Sequence, residues 1–213
     1  KIPIIVGGTG LYFKALTDGL VKIPNIPFKE RNKIRLIQKK LGQKKFYNAL
    51  LKIDPLSKNK IDKNDVQRSI RAYEIKNLTK KSIFEWFKKT KGIYSSNEFV
   101  KLYIDFSRQD LINRINLRIN KMFNEGAIQE VKRFNKLKVK KENSSQKVIG
   151  IKEITSFLDK HCSLDQAKVL IAIKTRQYAK RQTTWARGQM DSWEKINPKN
   201  LTLVIKKFIK IAS

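Results

Sequence analysis

The chain has 213 residues, of which 40 % are hydrophobic, so it is long enough and apolar enough to bury a globular core. Its 48 lysine and arginine residues exceed its 18 acidic residues, and a net charge of +30 favours a polyanionic partner, above all nucleic acid. A single cysteine excludes a disulfide framework and is typical of a reducing compartment, and no apolar run reaches the roughly 18 residues of a membrane-spanning helix. We therefore expect a cytoplasmic protein that does not enter a membrane.

The two basic residue types are used very unequally. Lysine accounts for 37 of the basic residues and arginine for 11, in a chain that is also rich in Ile and Asn, which is typical of an AT-rich coding bias. Part of the positive charge therefore carries no functional information. The arginines are the better markers of a binding site, because the guanidinium group matches phosphates and base edges.

The first predicted element is a buried β-strand over residues 1–6, an apolar run with β-branched side chains. It ends in a Gly-Gly-Thr-Gly turn at residues 7–10, and a helical pattern follows over residues 9–18. A strand that passes through a glycine turn into a helix N-terminus offers backbone N–H groups to an anion. Thr9 has two open interpretations: it caps the helix, or its hydroxyl contacts a phosphate or a base.

Helical patterns dominate the next part of the chain. An irregular stretch over residues 19–27 comes first, and a strand over residues 100–106 comes last. The last helix between them begins with a capping box formed by Ser82 and Glu85. The helices predicted between these two stretches cover residues 28–41, 44–53, 66–77 and 82–88.

The remaining chain is also predicted to be mostly helical. Ser107 starts a long helix that ends near Gly126, and a second helix and a polar linker over residues 139–146 follow. Ser163 caps a helix that continues to about Gly188, and a short strand and a final helix close the chain.

This order of elements places a purely helical block between two sheet strands, which suggests an insertion into an α/β core. We assign residues 1–22 to part of that core, residues 23–95 to a helical insertion domain, and residues 96–213 to the remainder of the core with its long basic helices. Because no strand or helix precedes the first strand, we interpret the chain as the later part of a larger α/β protein.

Two arginines mark the start of the helix predicted from residue 66. Arg68 and Arg71 lie three residues apart on one helix face, and the Gln67 amide has the geometry to read an adenine edge. The alternative is an ordinary solvated helix start. The use of arginine twice in a lysine-rich chain favours binding to nucleic acid.

Two later helices have basic faces. Arg114, Arg118 and Lys121 form a stripe that suits a phosphate clamp, although such a stripe is also typical of a solvated face. On the helix from Ser163, the side chains placed for a diphosphate or an RNA backbone are those of Arg176, Lys180, Thr183 and Arg187. Its core-facing stripe is predicted to consist of Ile171, Tyr178 and Trp185 with the neighbouring Ala172, Ala179 and Ala186.

His161 and Cys162 are the other candidates for chemistry, as a catalytic pair or as metal ligands. The sequence offers no second ligand cluster for them, so we assign no metal site to the chain.

Five segments occur in one fixed order along the chain, and together they resemble the bacterial tRNA dimethylallyltransferases, also called isopentenyl-diphosphate:tRNA transferases. Each segment by itself is weak evidence for the family, whereas five segments in the same order are specific evidence for it. Val66 stands where the family usually has proline, and Ile151 stands where it usually has an aromatic residue. The segments are residues 4–16 (IIVGGTGLYFKAL), 64–74, 114–122, 148–153 and 175–187.

The resemblance implies a P-loop NTPase-like α/β core, incomplete here, with a helical insertion domain that binds the anticodon stem-loop of tRNA. It implies transfer of a dimethylallyl group from dimethylallyl diphosphate to the exocyclic amine of the adenosine 3′-adjacent to the anticodon, with Mg²⁺ on the phosphates and a monomeric protein. The family's G-x-x-x-x-G-K-[ST] P-loop and the aspartate that acts as general base are absent from this sequence. We therefore expect the chain alone to be inactive in prenyl transfer.

The resemblance also assigns roles to individual residues. Thr9 matches the catalytic threonine that contacts the target nucleotide, and no residue is assigned to a metal. From the glycine turn and the basic helix faces, we assign Gly7, Gly8, Arg118 and Arg187 to binding of the diphosphate. The positions assigned to tRNA are Arg31, Gln67, Arg68, Ser69, Arg71, Lys147, Val148, Ile149, Gly150, Ile151, Lys152, Arg176, Gln177, Lys180, Arg181 and Gln182.

Two other functions stay open at this point. One is a non-catalytic RNA-binding module derived from the same family, which would also explain the charge. The other is a P-loop kinase of small metabolites, which would explain the glycine turn but neither the late basic helix nor the charge. An in-frame P-loop in the coding sequence upstream of residue 1 would favour the enzyme over the binding module.

Overall fold

The computed structural model describes residues 3–95, 98–140 and 143–200 and, in the final segment, residues 202, 205, 206 and 209. Within these residues the chain is mostly helical with a small parallel sheet. It divides into two compact units, one formed by residues 1–10 and 100–213 and the other by residues 11–99. The functional division predicted at residues 22/23 and 95/96 stays a prediction.

The unit of residues 11–99 is built around one long helix packed on a shorter one. The long helix is interrupted at Gly42, which has φ 73° and ψ 164°, so the two predicted helices on either side of this glycine are confirmed. Asp65 and Ser82 cap the two helices that follow, and the predicted capping box between Ser82 and Glu85 is present. The helices are α1 (Gly10–Thr17), which begins at the last residue of the other unit, α2 (Phe28–Ile53), α3 (Val66–Thr79) and α4 (Ile83–Phe87).

Helices α2 and α3 bury their apolar faces against each other. Ile34 and Phe46 of α2 form one cluster with Ile70 of α3, and Leu50 and Ala72 belong to a second. Fully buried side chains of this size contribute about 1.5–3 kcal/mol each relative to exposure. This packing holds the exposed face of α3, with its predicted RNA contacts, in a fixed orientation on α2.

The unit of residues 1–10 and 100–213 is built, within its described residues up to 200, mainly from four α-helices and two short strands. The strands β1 (Leu102–Ile104) and β2 (Glu194–Ile196) pair in parallel, with Leu102 opposite Glu194. The predicted caps Ser107 and Ser163 are confirmed, and their hydroxyls accept from the N–H groups of the third helical residues. The helices are α5 (Arg108–Asn124), α6 (Ala127–Lys136), α7 (Ile151–Leu158) and α8 (Leu164–Gln189).

The core of this unit lies where all four of its helices meet. Helices α5 and α7 pack directly against α8, and α6 packs against α5 and α7. The buried cluster consists of Ile115, Ile119, Ala127, Val131, Ile154, Ile171 and Ala172.

The predicted opening strand is wrong over its described residues. Residues 3–7 are irregular, and Ile4, Ile5 and Val6 are exposed. The described strands pair only with each other, so this segment has no neighbour to satisfy a strand's backbone groups. Residues 1 and 2 lie outside the described residues, as does most of the predicted final helix, of which residues 202, 205, 206 and 209 are helical.

Among the residues described, no helix combines the length and the apolar composition needed to cross a membrane.

Candidate functional site

The glycine turn lies directly against the C-terminal half of α8. The Gln182 side-chain amide donates to the Gly8 carbonyl at 2.9 Å. A Cβ on Gly8 would come within 2.5 Å of the same Gln182 nitrogen, and a Cβ on Gly10 would overlap the Trp185 ring. Gly10 therefore needs glycine because the Trp185 ring occupies the space, whereas a side chain at Gly8 would displace the flexible end of Gln182 and its hydrogen bond. Thr9, between these two fixed glycines, is exposed.

The α8 residues that contact the glycine turn, Gln182 and Trp185, lie on a different helix face from most of the basic residues of α8. Gln182 and Trp185 are three residues apart and share one face. At roughly 100° per residue, Arg187 lies about 140° around the axis from Gln182 and about 160° from Trp185. The structure thus brings Gly8 to α8 but places Arg187, its predicted partner in diphosphate binding, on a different face. Arg118, the other predicted partner, is exposed on α5.

The exposed face of α8 carries most of its predicted tRNA contacts. Arg176, Gln177 and Lys180 are exposed. Arg181 is exposed as well, and its guanidinium lies 5.5 Å from the centre of the Tyr178 ring. Exposed cations and the exposed Tyr178 ring thus lie together on the surface of α8.

Tyr178 itself departs from the prediction. It was predicted to be a core residue, yet it is exposed. The next residue, Ala179, still packs against the core cluster, so Tyr178 lies beside the covered face of α8 rather than beyond its end. A seven-residue repeat drifts by about 20° around an α-helix with each repeat, which moves Tyr178 towards solvent. Trp185 is partly buried, and it packs against Gly10.

In the predicted tRNA-contacting segment 147–152, three residues are exposed and the three in the middle are not. Lys147, Val148 and Lys152 are exposed. Gly150 is buried, while the partly buried Ile149 and Ile151 pack against the core cluster. The predicted RNA contacts by Ile149 and Ile151 are therefore not supported, because their side chains face the core, and the buried Gly150 has no side chain to contact RNA.

Glu153 connects this segment to α8 through its contacts with Gly150 and Lys174, and these contacts were not predicted from the sequence. Its carboxylate is 4 % exposed, accepts from the Gly150 N–H at 2.8 Å, and pairs with the Lys174 ammonium of α8. Burial by itself raises the pKa of Glu153, but the hydrogen bonds from Lys174 and Gly150 and the Lys174 charge outweigh it and hold the pKa below the ordinary value. The motif around Val148 contained Glu153, but nothing in the sequence alone indicated Lys174 as its partner.

In the other unit, the start of α3 exposes the predicted RNA contacts Gln67 and Arg68. The Asp65 carboxylate caps the helix by accepting from the Arg68 N–H at 2.9 Å, and its second oxygen lies 3.3 Å from the Arg68 guanidinium. Arg71, which is half-buried, lies 3.3 Å from the buried carboxylate of Glu74. The side chains of Gln67 and Arg68 are thus accessible, whereas Arg71 is partly engaged.

Ser69 differs from its neighbours on α3 because it is fully buried. Its hydroxyl donates to the Asp65 carbonyl at 2.7 Å and accepts from the Gln43 amide at 3.2 Å. The predicted RNA contact by Ser69 is therefore not supported, and the hydroxyl instead joins α3 to α2.

The remaining predicted cations lie in the first turn of α2 and on α5. Arg31 is half-buried, and within the described residues its buried Nε has no hydrogen-bond partner. The Arg114 guanidinium lies 4.8 Å from the centre of the Phe106 ring, and Lys121 pairs with Glu125 at 3.6 Å on the surface. Of the predicted stripe on α5, Arg118 is exposed and has no ion pair among the described residues.

No group of three His, Cys, Asp or Glu side chains that could hold a metal ion occurs among the residues described. This includes the neighbourhood of Cys162, which is a free, half-buried thiol.

Known proteins resemble the chain over almost its whole length. A tRNA dimethylallyltransferase of Pelagibacter ubique is 59 % identical over 210 residues, which are 99 % of this chain and 67 % of that protein. The tRNA dimethylallyltransferase of Rickettsia massiliae is 38 % identical over 99 % of this chain and 59 % of its own length. The solved structure of a eukaryotic dimethylallyltransferase acting on tRNA matches with a TM-score of 0.67 and 29 % identity over 87 % of this chain and 47 % of that one.

The chain thus spans about two thirds of the length of the Pelagibacter relative and less of the other two. These relatives favour a transferase over a non-catalytic RNA-binding module and over a kinase of small metabolites. The sequence profile of the family described as IPP transferase matches residues 1–189. The chain belongs to the IPP transferase family.

Proposed function

We propose that the protein transfers a dimethylallyl group from dimethylallyl diphosphate to the exocyclic amine of the adenosine 3′-adjacent to the anticodon of tRNA. The observation that carries this proposal is the 59 % identity to a tRNA dimethylallyltransferase over 99 % of the chain. The surface of the described residues supports it, because exposed arginines and lysines occur at the predicted tRNA contacts of both units.

The reaction needs a positioned nucleotide and a stabilised leaving group. The amine nitrogen forms a bond to the allylic carbon, the carbon–oxygen bond to the diphosphate breaks, and the diphosphate leaves with the electron pair while the amine gives its proton to a base. Because the reacting amine lies on a base edge, the nucleotide must leave its stack to reach the donor. Cations that stabilise the leaving diphosphate lower the barrier.

Thr9 is our candidate for contact with the target nucleotide. The carbonyl of Gly8 is held by Gln182, and Trp185 covers Gly10, so the backbone on both sides of Thr9 is fixed on α8. The Thr9 side chain itself is exposed. A fixed backbone with an exposed hydroxyl suits the positioning of a reactant. Gly7, Gly8, Arg118 and Arg187 remain the proposed contacts of the diphosphate.

The tRNA contacts that we retain are those with accessible side chains, since phosphate binding requires charged groups at the surface. We propose that they hold the anticodon stem-loop. They are Gln67, Arg68, Arg71, Lys147, Val148, Lys152, Arg176, Gln177, Lys180 and Arg181, with Arg31 as a half-buried member and Gln182 through its contact with the turn.

A P-loop NTPase-like core is part of the same proposal, and the parallel pairing of β1 with β2 supports an α/β arrangement. Mg²⁺ stays a prediction: the resemblance places it on the diphosphate, and Mg²⁺ in such sites is usually bound through one or two carboxylates together with substrate phosphates. We also propose that the protein works as a monomer in the cytoplasm.

The test is the transfer of labelled dimethylallyl groups to unmodified tRNA by the protein expressed from its complete reading frame. The substrate carries an adenosine after the anticodon, and the control tRNA carries guanosine there. We expect label only in the adenosine tRNA. Thr9→Ala should lower kcat at least about tenfold if Thr9 orients the nucleotide, whereas Thr202→Ala, at an exposed threonine outside the site, should not.

Equal labelling of both tRNAs, or tRNA binding without any transfer, would contradict the proposed activity. A Thr9→Ala protein with unchanged kcat would remove Thr9 from the site but leave the activity standing.

A further inference from the structure

A buried charge joins the segment 147–152 to α8. The carboxylate of Glu153, at the third residue of α7, accepts from the Gly150 N–H through one oxygen and meets the Lys174 ammonium with the other. With 4 % of its side chain exposed, Glu153 has lost most of its hydration. A charge in such a position is maintained only when hydrogen bonds and an opposite charge replace the water.

These contacts determine the shape of the segment. Gly150 has φ 111° and ψ −34°, a conformation that residues with a side chain rarely adopt. Ile149 and Ile151, on either side of it, pack on the core cluster. Lys147 and Lys152 consequently face solvent. The bond from Gly150 to Glu153 thus maintains the backbone geometry that separates the inward isoleucines from the outward lysines.

The same carboxylate connects the segment to the helix that carries the late basic residues. Lys174 is half-exposed, with 48 % of its side chain accessible, and lies on α8 two residues before the exposed Arg176. If only Ile149 and Ile151 anchored segment 147–152, the segment would stay packed on the core but could shift sideways relative to α8. The ion pair adds a connection to α8, which sets the position of the segment relative to the cations of that helix.

We propose that Glu153 is a positioning residue for tRNA binding, which holds segment 147–152 on α8 so that Lys147 and Lys152 meet the tRNA phosphates together with the basic face of α8. This inference rests on the proposed function, since it requires that the protein bind tRNA. Glu153 itself does not touch the RNA.

A purely structural role makes different predictions. If Glu153 only stabilised the fold, Glu153→Gln would lower the melting temperature but leave the affinity of the folded protein for tRNA unchanged. Simple electrostatics predicts the opposite sign from our proposal: loss of a negative charge should strengthen binding to a polyanion. A weaker complex after Glu153→Gln is therefore informative.

The experiment measures the affinity of the full-length protein for unmodified tRNA between about 50 and 200 mM salt. Glu153→Gln keeps an oxygen for the Gly150 N–H but loses the charge, and Glu130→Gln, on the surface of α6, is the matched control with the same change in net charge. Lys147→Ala/Lys152→Ala removes the two presented cations, and Lys132→Ala/Lys136→Ala, also on α6, is its control.

We expect Lys147→Ala/Lys152→Ala to weaken binding about three- to tenfold and to reduce the slope of log affinity against log salt by about 1–2, since each phosphate contact contributes about 0.7–0.9. Glu153→Gln should produce a similar loss, and Glu130→Gln and the α6 lysine pair should not. In the Glu153→Gln background, removal of Lys147 and Lys152 should cost less than about twofold, because residues that act as one unit are not additive.

An unchanged or stronger affinity of folded Glu153→Gln for tRNA would overturn the inference, and so would any of three other results. The first is a loss for Lys147→Ala/Lys152→Ala no larger than that for the α6 pair, a comparison of surface variants that does not depend on how Glu153→Gln folds. The second is full additivity of Glu153→Gln with the lysine pair. The third is a wild-type protein that does not bind tRNA, which would overturn the proposed function as well, whereas the first two leave that function intact.

Lys174→Met provides a second variant if Glu153→Gln does not fold. It keeps the Glu153 oxygen that accepts from the Gly150 N–H, but it removes the connection to α8, one positive charge and the counter-charge of Glu153. We expect KM for tRNA to rise while kcat at saturating tRNA stays within about twofold, since uniform binding alone is lost. Lys132→Met, on the surface of α6, controls for the lost positive charge. An unchanged KM for tRNA in Lys174→Met would also overturn the inference.

Discussion

Each of the two compact units contains an ion pair beside predicted tRNA contacts, and the two pairs differ in burial. Glu153 and Lys174 have 4 % and 48 % of their side chains exposed, whereas Asp65 and Arg68 have 27 % and 76 %. The Glu153 pair connects two helices, while the Asp65 pair joins residues three apart on one helix. The Glu153–Lys174 pair is therefore a contact between two packed helices, whereas the Asp65–Arg68 pair is a local contact at the start of one helix.

The difference shows how an acidic residue can assist a polyanion site in two ways. A buried carboxylate fixes the backbone that presents nearby lysines, and its own charge is neutralised by its partner. The half-buried carboxylate of Asp65 caps the helix through the Arg68 N–H, and its ion pair with the exposed guanidinium is worth about 0–1 kcal/mol. Arg68 is thus free to exchange Asp65 for a phosphate.

The largest effect is expected for Glu153→Leu. This change leaves the buried Gly150 N–H without an acceptor, and we expect the free energy of unfolding to fall by about 2 kcal/mol. Urea unfolding measures it, with Glu130→Leu on the exposed face of α6 as the control. A loss below that of the control would show that the buried pair is no more important to stability than a surface residue.

The contribution of Glu153 to stability should depend on pH. Its pKa in the folded chain lies below the ordinary value of 4.5, so the folded state binds its proton less readily than the unfolded state. The stabilisation is complete above the unfolded pKa and is lost as pH falls through the folded pKa. The difference in melting temperature between wild type and Glu153→Gln should shrink as pH falls from 7 into the acid range, about 3. A constant difference would contradict this.

A smaller effect is expected at the cap of α3. Asp65→Ala removes the acceptor for the Arg68 N–H, and we expect a loss of about 1 kcal/mol in the free energy of unfolding. Asp65→Asn keeps a capping oxygen without the charge and should stay within about 0.5 kcal/mol of wild type. If Asp65→Asn were as damaging as Asp65→Ala, the ion pair rather than the cap would be the stabilising contact.

The smallest effect on stability is expected for Arg68→Ala, within about 0.5 kcal/mol, because the side chain is exposed. Its effect should appear in tRNA binding, as about a three- to tenfold weaker complex and a salt slope smaller by about 0.7–0.9. Arg35→Ala, at an exposed arginine of α2, is the matched control in titrations with unmodified tRNA. Equal losses for the two variants would indicate general charge rather than a contact.

Structural features that depend on residues within one turn of a helix were predicted well from the sequence. The caps at Ser82, Ser107 and Ser163 are all present, and Gly42 interrupts α2 between the two predicted helices. These features depend on hydrogen bonds between residues two or three apart or on the φ of a single glycine. They need no information from the rest of the fold.

Predictions that required a neighbouring element were less reliable. The segment before the glycine turn has the composition of a strand, but a strand requires a partner, and the described residues offer none. Tyr178 continues an apolar repeat along α8, but it lies beside the face that packs on the core, a face that still includes the neighbouring Ala179. Ser69 lies in a motif of exposed residues, yet the packing of α3 on α2 buries it.

The sequence by itself determined the charge, most of the helices with their caps, and the five segments that indicate the family. The tertiary structure decided which side chains of those segments are accessible, that the turn at Gly8 and Gly10 lies on Gln182 and Trp185, and that Glu153 pairs with Lys174. The physical reason is the distance along the chain over which each interaction acts. A cap depends on residues within one turn, whereas burial and the pairing of a buried charge depend on residues that meet only after the helices have packed.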